Sequence, residues 1–97
     1  MENGIGQTDI RRDTPQTSGS LSTTAAEIGP RTPGTVYDNA SGAFRVLAVV
    51  TDHAEARRVL RRNAARFAVL VRDCHAGTEY YTGAVWTGSD RVLKAVA

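Results

Sequence analysis

A chain of 97 residues, 41% hydrophobic and 23% charged with a formal net charge of +2, holds one folded domain at most and has an ordinary capacity to form a core. The single cysteine, Cys74, excludes an intrachain disulfide and a cysteine-rich zinc site. No apolar run approaches the ~18 residues of a membrane-crossing helix, and Met1 to Gln7 lacks the basic and apolar regions of a signal peptide, so a soluble cytoplasmic protein is expected.

Residues 1–32 read as a disordered N-terminal tail. They contain Gly4, Gly6, Pro15, Gly19, Gly29 and Pro30, many Ser and Thr, and no aromatic residue. Such a segment buries too little apolar surface to offset the entropy of ordering it. Ser22 to Ile28 forms at most a fleeting helical turn on this reading, and removing the tail should leave the melting temperature unchanged. Residues 33–97 read as a small α+β domain. From Gly34 onward the basic residues outnumber the acidic ones by nine to six, a net +3.

Within that domain, Thr35 to Tyr37 is a short β run closed by the turn residues Asp38 to Gly42. Ala43 to Thr51 is rich in β-branched and aromatic residues and apolar on both faces from Val46, the pattern of a central strand. Asp52 is a candidate N-cap with Glu55 at the reciprocal position of a capping box. Residues 53–66 then read as an amphipathic helix. Ala56, Val59, Leu60, Asn63 and Ala64 fall on one face, and Arg57, Arg58 and Arg61 on the other, with Arg62 at its margin. Val59, Leu60 and Phe67 are expected to pack against Val46, Val49, Val69 and Val71. Phe67 to Cys74 is a second strand, His75 to Gly77 a turn, and Glu79 to Trp86 a third strand. Arg91 to Val96 is a last short strand or one helical turn.

The order β-β-α-β-β, with a last β element, fits two architectures. One is a small barrel. The other is a four- to five-stranded, mostly antiparallel sheet with one amphipathic helix, in which a right-handed crossover through the helix would make its flanking strands parallel. Pro33-Gly34-Thr35-Val36-Tyr37 followed by Gly42 to Leu47 resembles the opening hairpin of SH3-like β-barrel domains of bacteria and phages. Trp86 followed by Ser89-Asp90-Arg91-Val92-Leu93 resembles their ending. The resemblance covers residues 33–50 and 85–96. It implies an SH3-like barrel and a binding module with no cofactor, able to hold peptides or nucleic acid.

Asp73-Cys74-His75 is the only stretch that mimics a catalytic cluster, but neighbours on a strand point to opposite faces, so the cysteine and histidine should not meet. It reads as a strand end and a turn. His53, His75 and Cys74 lack ligand spacing, and no metal is expected. Two surfaces remain. The arginine set Arg57, Arg58, Arg61, Arg62 and Arg66 suits phosphate, with Glu55 alone in the helix to neutralise it, or is simply a solvated face. Tyr37, Tyr80, Tyr81 and Trp86 are candidate partner-binding aromatics, or core residues; Tyr80 and Tyr81 must face opposite sides of their strand. Arg supplies all of the 12 basic residues except Lys94, a composition of high-GC bacterial genomes, actinobacterial for example. The expectation is a non-catalytic nucleic-acid-associated binding module, a regulatory or accessory protein of a mobile element. The alternative is a protein-interaction adaptor or a module that dimerises.

Overall fold

The computed structural model describes residues 24–95. Their elements are a helical segment over 24–28 (α1), strands β1 (Val36–Asn39) and β2 (Gly42–Val50), helix α2 (His53–Leu60), and strands β3 (Ala68–Asp73), β4 (Glu79–Thr82) and β5 (Arg91–Lys94). The strands form one antiparallel sheet in the order β4-β3-β2-β1-β5. It is open, with β4 at one end and β5 at the other. Because β2 and β3 pair antiparallel, α2 is an elaborated hairpin connection; the expected parallel crossover is absent.

Residues 24–31, read from sequence as part of the tail, lie against the sheet domain. Gly29, at φ +66°, ends α1 with its amide on the Ala25 carbonyl at 3.0 Å, a left-handed stop that glycine adopts without strain. A Cβ at this position would stand 2.5 Å from Cγ of Trp86, so glycine is required sterically as well. Ile28 packs on the core, and Arg31 is 2% exposed. The rest of the expected tail, 1–23, lies outside the described residues.

The core lies on one face of the sheet: Tyr37, Phe44, Val46, Phe67, Val69 and Val71, joined by Ile28, Val49 and Trp86. A β-bulge puts Val46 opposite Val71 and Ala48 opposite Leu70, leaving Leu47 extra. The bulge shifts the alternation by one residue, so Val49, opposite Val69, faces the core in place of Ala48. This is why β2 is apolar at every position from Val46 to Val50 without being sandwiched along its length.

Ala68 points to the second face and is nevertheless completely buried. The element approaching β2, β3 and β4 is α2, whose Ala56 is also completely buried, so α2 closes this end of the second face. The expected docking of α2 into the main core is corrected: Val59 and Leu60 are only half-buried and outside the core cluster, and Leu60 lies against Gly83. The helix is also shorter than 53–66. Arg61 takes φ 56° and its amide turns back to the Arg57 carbonyl. The third strand stops at Thr82, short of Trp86, because the chain crosses to α1, where the Trp86 amide donates to the Glu27 carbonyl at 2.7 Å.

Candidate functional site

The expected arginine face is divided by the early end of α2. The Asp52 N-cap forms as the sequence indicates, with the Glu55 amide donating to Asp52 Oδ2 at 2.8 Å, while both carboxylate oxygens of Glu55 accept from Arg58 instead of completing a capping box. Glu55 in turn pairs with Arg58 one turn along, and that guanidinium holds its carboxyl below the usual range. Arg66 lies in the loop before β3 and pairs with Glu27 of α1. Arg57, Arg61 and Arg62 remain exposed at the C-terminal end of α2, the negative end of its dipole, where cations are favoured.

A second basic group lies on the sheet. Lys94 of β5 pairs in register with Val36 of β1, Val36 with Arg45 of β2, Arg45 with Arg72 of β3, and Arg72 with Glu79 of β4. Directly opposed residues share a face, and for this row it is the face away from the main core. Arg45 and Arg72 thus stand side by side, an arrangement that costs stability unless an anion lies between or above them. Glu79 meets Arg72 at 3.1 Å from the far side.

The carboxylates of the described residues are all occupied. Glu27, Asp38, Glu55 and Glu79 pair with Arg66, Arg91, Arg58 and Arg72. Asp52 caps α2, and Asp73 accepts the amides of Ala76 and His75, which hold its carboxyl below the usual range. Asp90 binds the Asn39 side chain at 2.9 Å and the Thr87 amide at 2.8 Å. Arg45, Arg57, Arg61, Arg62 and Lys94 are exposed with no carboxylate in ion-pair range among the described residues.

The four aromatics separate by burial. Tyr37 is 4% exposed and part of the core, with its ring centroid 5.5 Å from that of Trp86, which is half-buried over the same core. Tyr80 and Tyr81 are exposed on opposite faces of β4, at 44% and 37%. Tyr80 sits edge-on to Phe44 at 6.4 Å and borders a cleft of about 140 Å³ with Tyr37, Arg31 and Asp90; burial pushes its phenol up. Tyr81 lies opposite Leu70 on the second face, within electrostatic reach of Arg58.

Asp73-Cys74-His75 forms the start of the β3–β4 turn, with Cys74 free and exposed. Among the described residues no three His, Cys, Asp or Glu side chains gather to hold a metal. A larger cleft of about 220 Å³ lies between Leu60, Phe67, Gly83 and Val85, with Arg62 and Arg66 at its rim.

The sequence reading missed Arg31. Its Nε donates to the Ile28 carbonyl at 2.7 Å, and its Nη2 to the carbonyls of Glu27 and Ala84 at 2.8 Å each. The guanidinium carbon stands 5.7, 5.9 and 5.8 Å from the ring centroids of Tyr37, Phe67 and Trp86. Arg31 therefore stitches α1, the core and the 83–86 segment together as a buried cation held by aromatic faces and carbonyls. The Gly29-Pro30 helix stop just before it was the available signal.

No family model matches the chain, and no curated protein or solved structure matches it either. No helix of the described residues is long and apolar enough to cross a membrane.

Proposed function

We propose that the protein is a non-catalytic nucleic-acid-binding module, an accessory or regulatory protein of a bacterial mobile element. The observation that carries this reading is the imbalance of the surface. Among the described residues the carboxylates are consumed by ion pairs, caps and turns, while Arg45, Arg57, Arg61, Arg62 and Lys94 are exposed with no carboxylate in ion-pair range. Free guanidinium groups meet phosphate oxygens with two parallel hydrogen bonds, and release of counterions drives the association. The SH3-like resemblance belongs to the same reading: it is supported by an open antiparallel sheet in which β1 to β4 form a meander and β5 returns beside β1.

The test is binding of the full chain to labelled duplex and single-stranded oligonucleotides across a salt series. With about four phosphate contacts, log K for duplex DNA should fall against log salt with a slope near −3.6. Changing Arg57 and Arg61 to Glu should weaken binding to all sequences alike and leave the fold intact, since both side chains are exposed. Absence of binding to any nucleic acid at ~50 mM salt refutes the proposal.

A second reading, self-association or docking of a protein strand, has one observation in its favour. The outer strand β5 exposes Val92 and Leu93 beside an unpaired backbone edge. It leads if the oligonucleotides do not bind and the chain sediments as a dimer.

A further inference from the structure

The nucleic-acid reading leaves open which form is bound and where, and the second face of the sheet addresses both. We propose that this face is a platform for single-stranded nucleic acid, with Lys94, Arg45 and Arg72 holding the phosphates and Tyr81 stacking on a base. The inference rests on the nucleic-acid reading above.

The basic row runs across the strands: Lys94, Val36, Arg45, Arg72 and Glu79 occupy successive positions from β5 to β4. At about 4.8 Å per strand, Lys94 and Arg72 stand roughly 14 Å apart, a track long enough for more than one phosphate. The row carries its own incentive for an anion, because Arg45 faces Arg72 directly and, among the described residues, only Arg72 of the two has a carboxylate. Two residues along β3 and β4, and three along β2 across its bulge, about 7 Å away, lies a row of different character: Ala48, Leu70 and the exposed ring of Tyr81. α2 approaches β2, β3 and β4 and bounds this row. A phosphate track flanked by an apolar shelf that ends in an exposed aromatic is the pairing single strands require, since their bases are free to stack.

A duplex matches the same surface poorly. Its bases are stacked inside and cannot reach Tyr81, and a sheet face does not enter the major groove. An acidic peptide would use the cations but offers nothing to stack on Tyr81.

Fluorescence anisotropy with the full chain decides between these. The probes are labelled oligo-deoxythymidine and oligo-uridine of about 12 nucleotides and a duplex of the same length, at ~50 mM salt, with unlabelled poly-glutamate as competitor. The single strands should bind at least about tenfold tighter than the duplex. Tyr81→Ala should weaken single-strand binding by roughly 5- to 100-fold, and Tyr81→Phe should retain it. Arg45→Gln should lower the single-strand salt slope by about 0.7; it carries the test if Tyr81→Ala proves to melt early. Preference for duplex, or unchanged single-strand binding in both Tyr81→Ala and Arg45→Gln, overturns the platform. If Arg57→Glu with Arg61→Glu then abolishes binding, the nucleic-acid reading stands and the site moves to the end of α2. Binding to neither form overturns both. Displacement by poly-glutamate as efficient as by unlabelled oligonucleotide overturns both in favour of an acidic partner.

Discussion

Arg31 and Arg45 lie on opposite sides of the same sheet and show how differently one side chain is used. Arg31 is 2% exposed, with three carbonyls and three aromatic rings around its charge. Arg45 is exposed, opposite a like charge, with no carboxylate in reach among the described residues. The first cation is fixed by the fold and helps to fix it. The second has no ion pair in the fold among the described residues, lies opposite a like charge, and is free to contribute to binding. Sequence does not separate them, because each is a lone arginine among small and apolar neighbours.

The largest expected effect tests that contrast directly. Arg31→Met leaves the Ile28 and Ala84 carbonyls without their donor, at about 1–3 kcal/mol each, while the Glu27 carbonyl keeps the Trp86 amide; the variant should lose at least about 2 kcal/mol, a large share of the stability of a domain this small. Arg45→Met should stay within about 0.5 kcal/mol of the parent in chemical denaturation. Equal losses would mean that the two sites are not as different as their surroundings indicate.

A middle-sized effect separates the core face from the α2 end. Val69→Ala, at a completely buried position, should cost about 2–3 kcal/mol, from two lost methyl groups and the cavity they leave. Leu60→Ala removes more atoms but from a half-buried position, and should cost about 1 kcal/mol less than full burial implies. Urea midpoints of the two variants decide the order.

The smallest effect is electrostatic. Burial pushes the Asp90 carboxyl up, but hydrogen bonds from the Asn39 side chain and from Thr87 outweigh it, and the net shift is down. A carboxyl lowered in the folded state stabilises above its unfolded pKa, and the contribution is lost as pH falls through the lowered folded value. Acidification below the usual carboxylate range should therefore loosen the 87–90 turn. Asn39→Ala should bring the Asp90 titration, followed by NMR of its carboxyl carbon, upward toward the ordinary aspartate range.

Local chemistry made much of the fold legible. The hairpin at Ala40-Ser41, the cap at Asp52 and the β3–β4 turn follow from residues within a few positions of one another. What sequence did not disclose depends on distant partners. Residues 24–31 have too few apolar side chains to order alone, yet Trp86, Phe67 and the Ala84 carbonyl, more than fifty residues on in two of the three cases, give Ile28 and Arg31 their surroundings. The amphipathic pattern of 53–66 identified a helix but not the turn at Arg61, nor which face of the sheet it would meet. The arginine set was readable as a surface feature, whereas the Lys94-Arg45-Arg72 row exists only through the pairing of strands remote in sequence.

Arg61 holds a backbone conformation that glycine would adopt freely, at a cost of about 1–2 kcal/mol for a residue with a Cβ. The negative end of α2 returns about 0.3–1 kcal/mol to the cation placed there. The return offsets only part of the cost, and the greater freedom of an unfolded glycine, about 0.4–1 kcal/mol, makes up most of the rest, so this corner can exchange a charged side chain for glycine with little net change in stability. It is a position where the chain can vary its affinity for anions while its architecture stays indifferent.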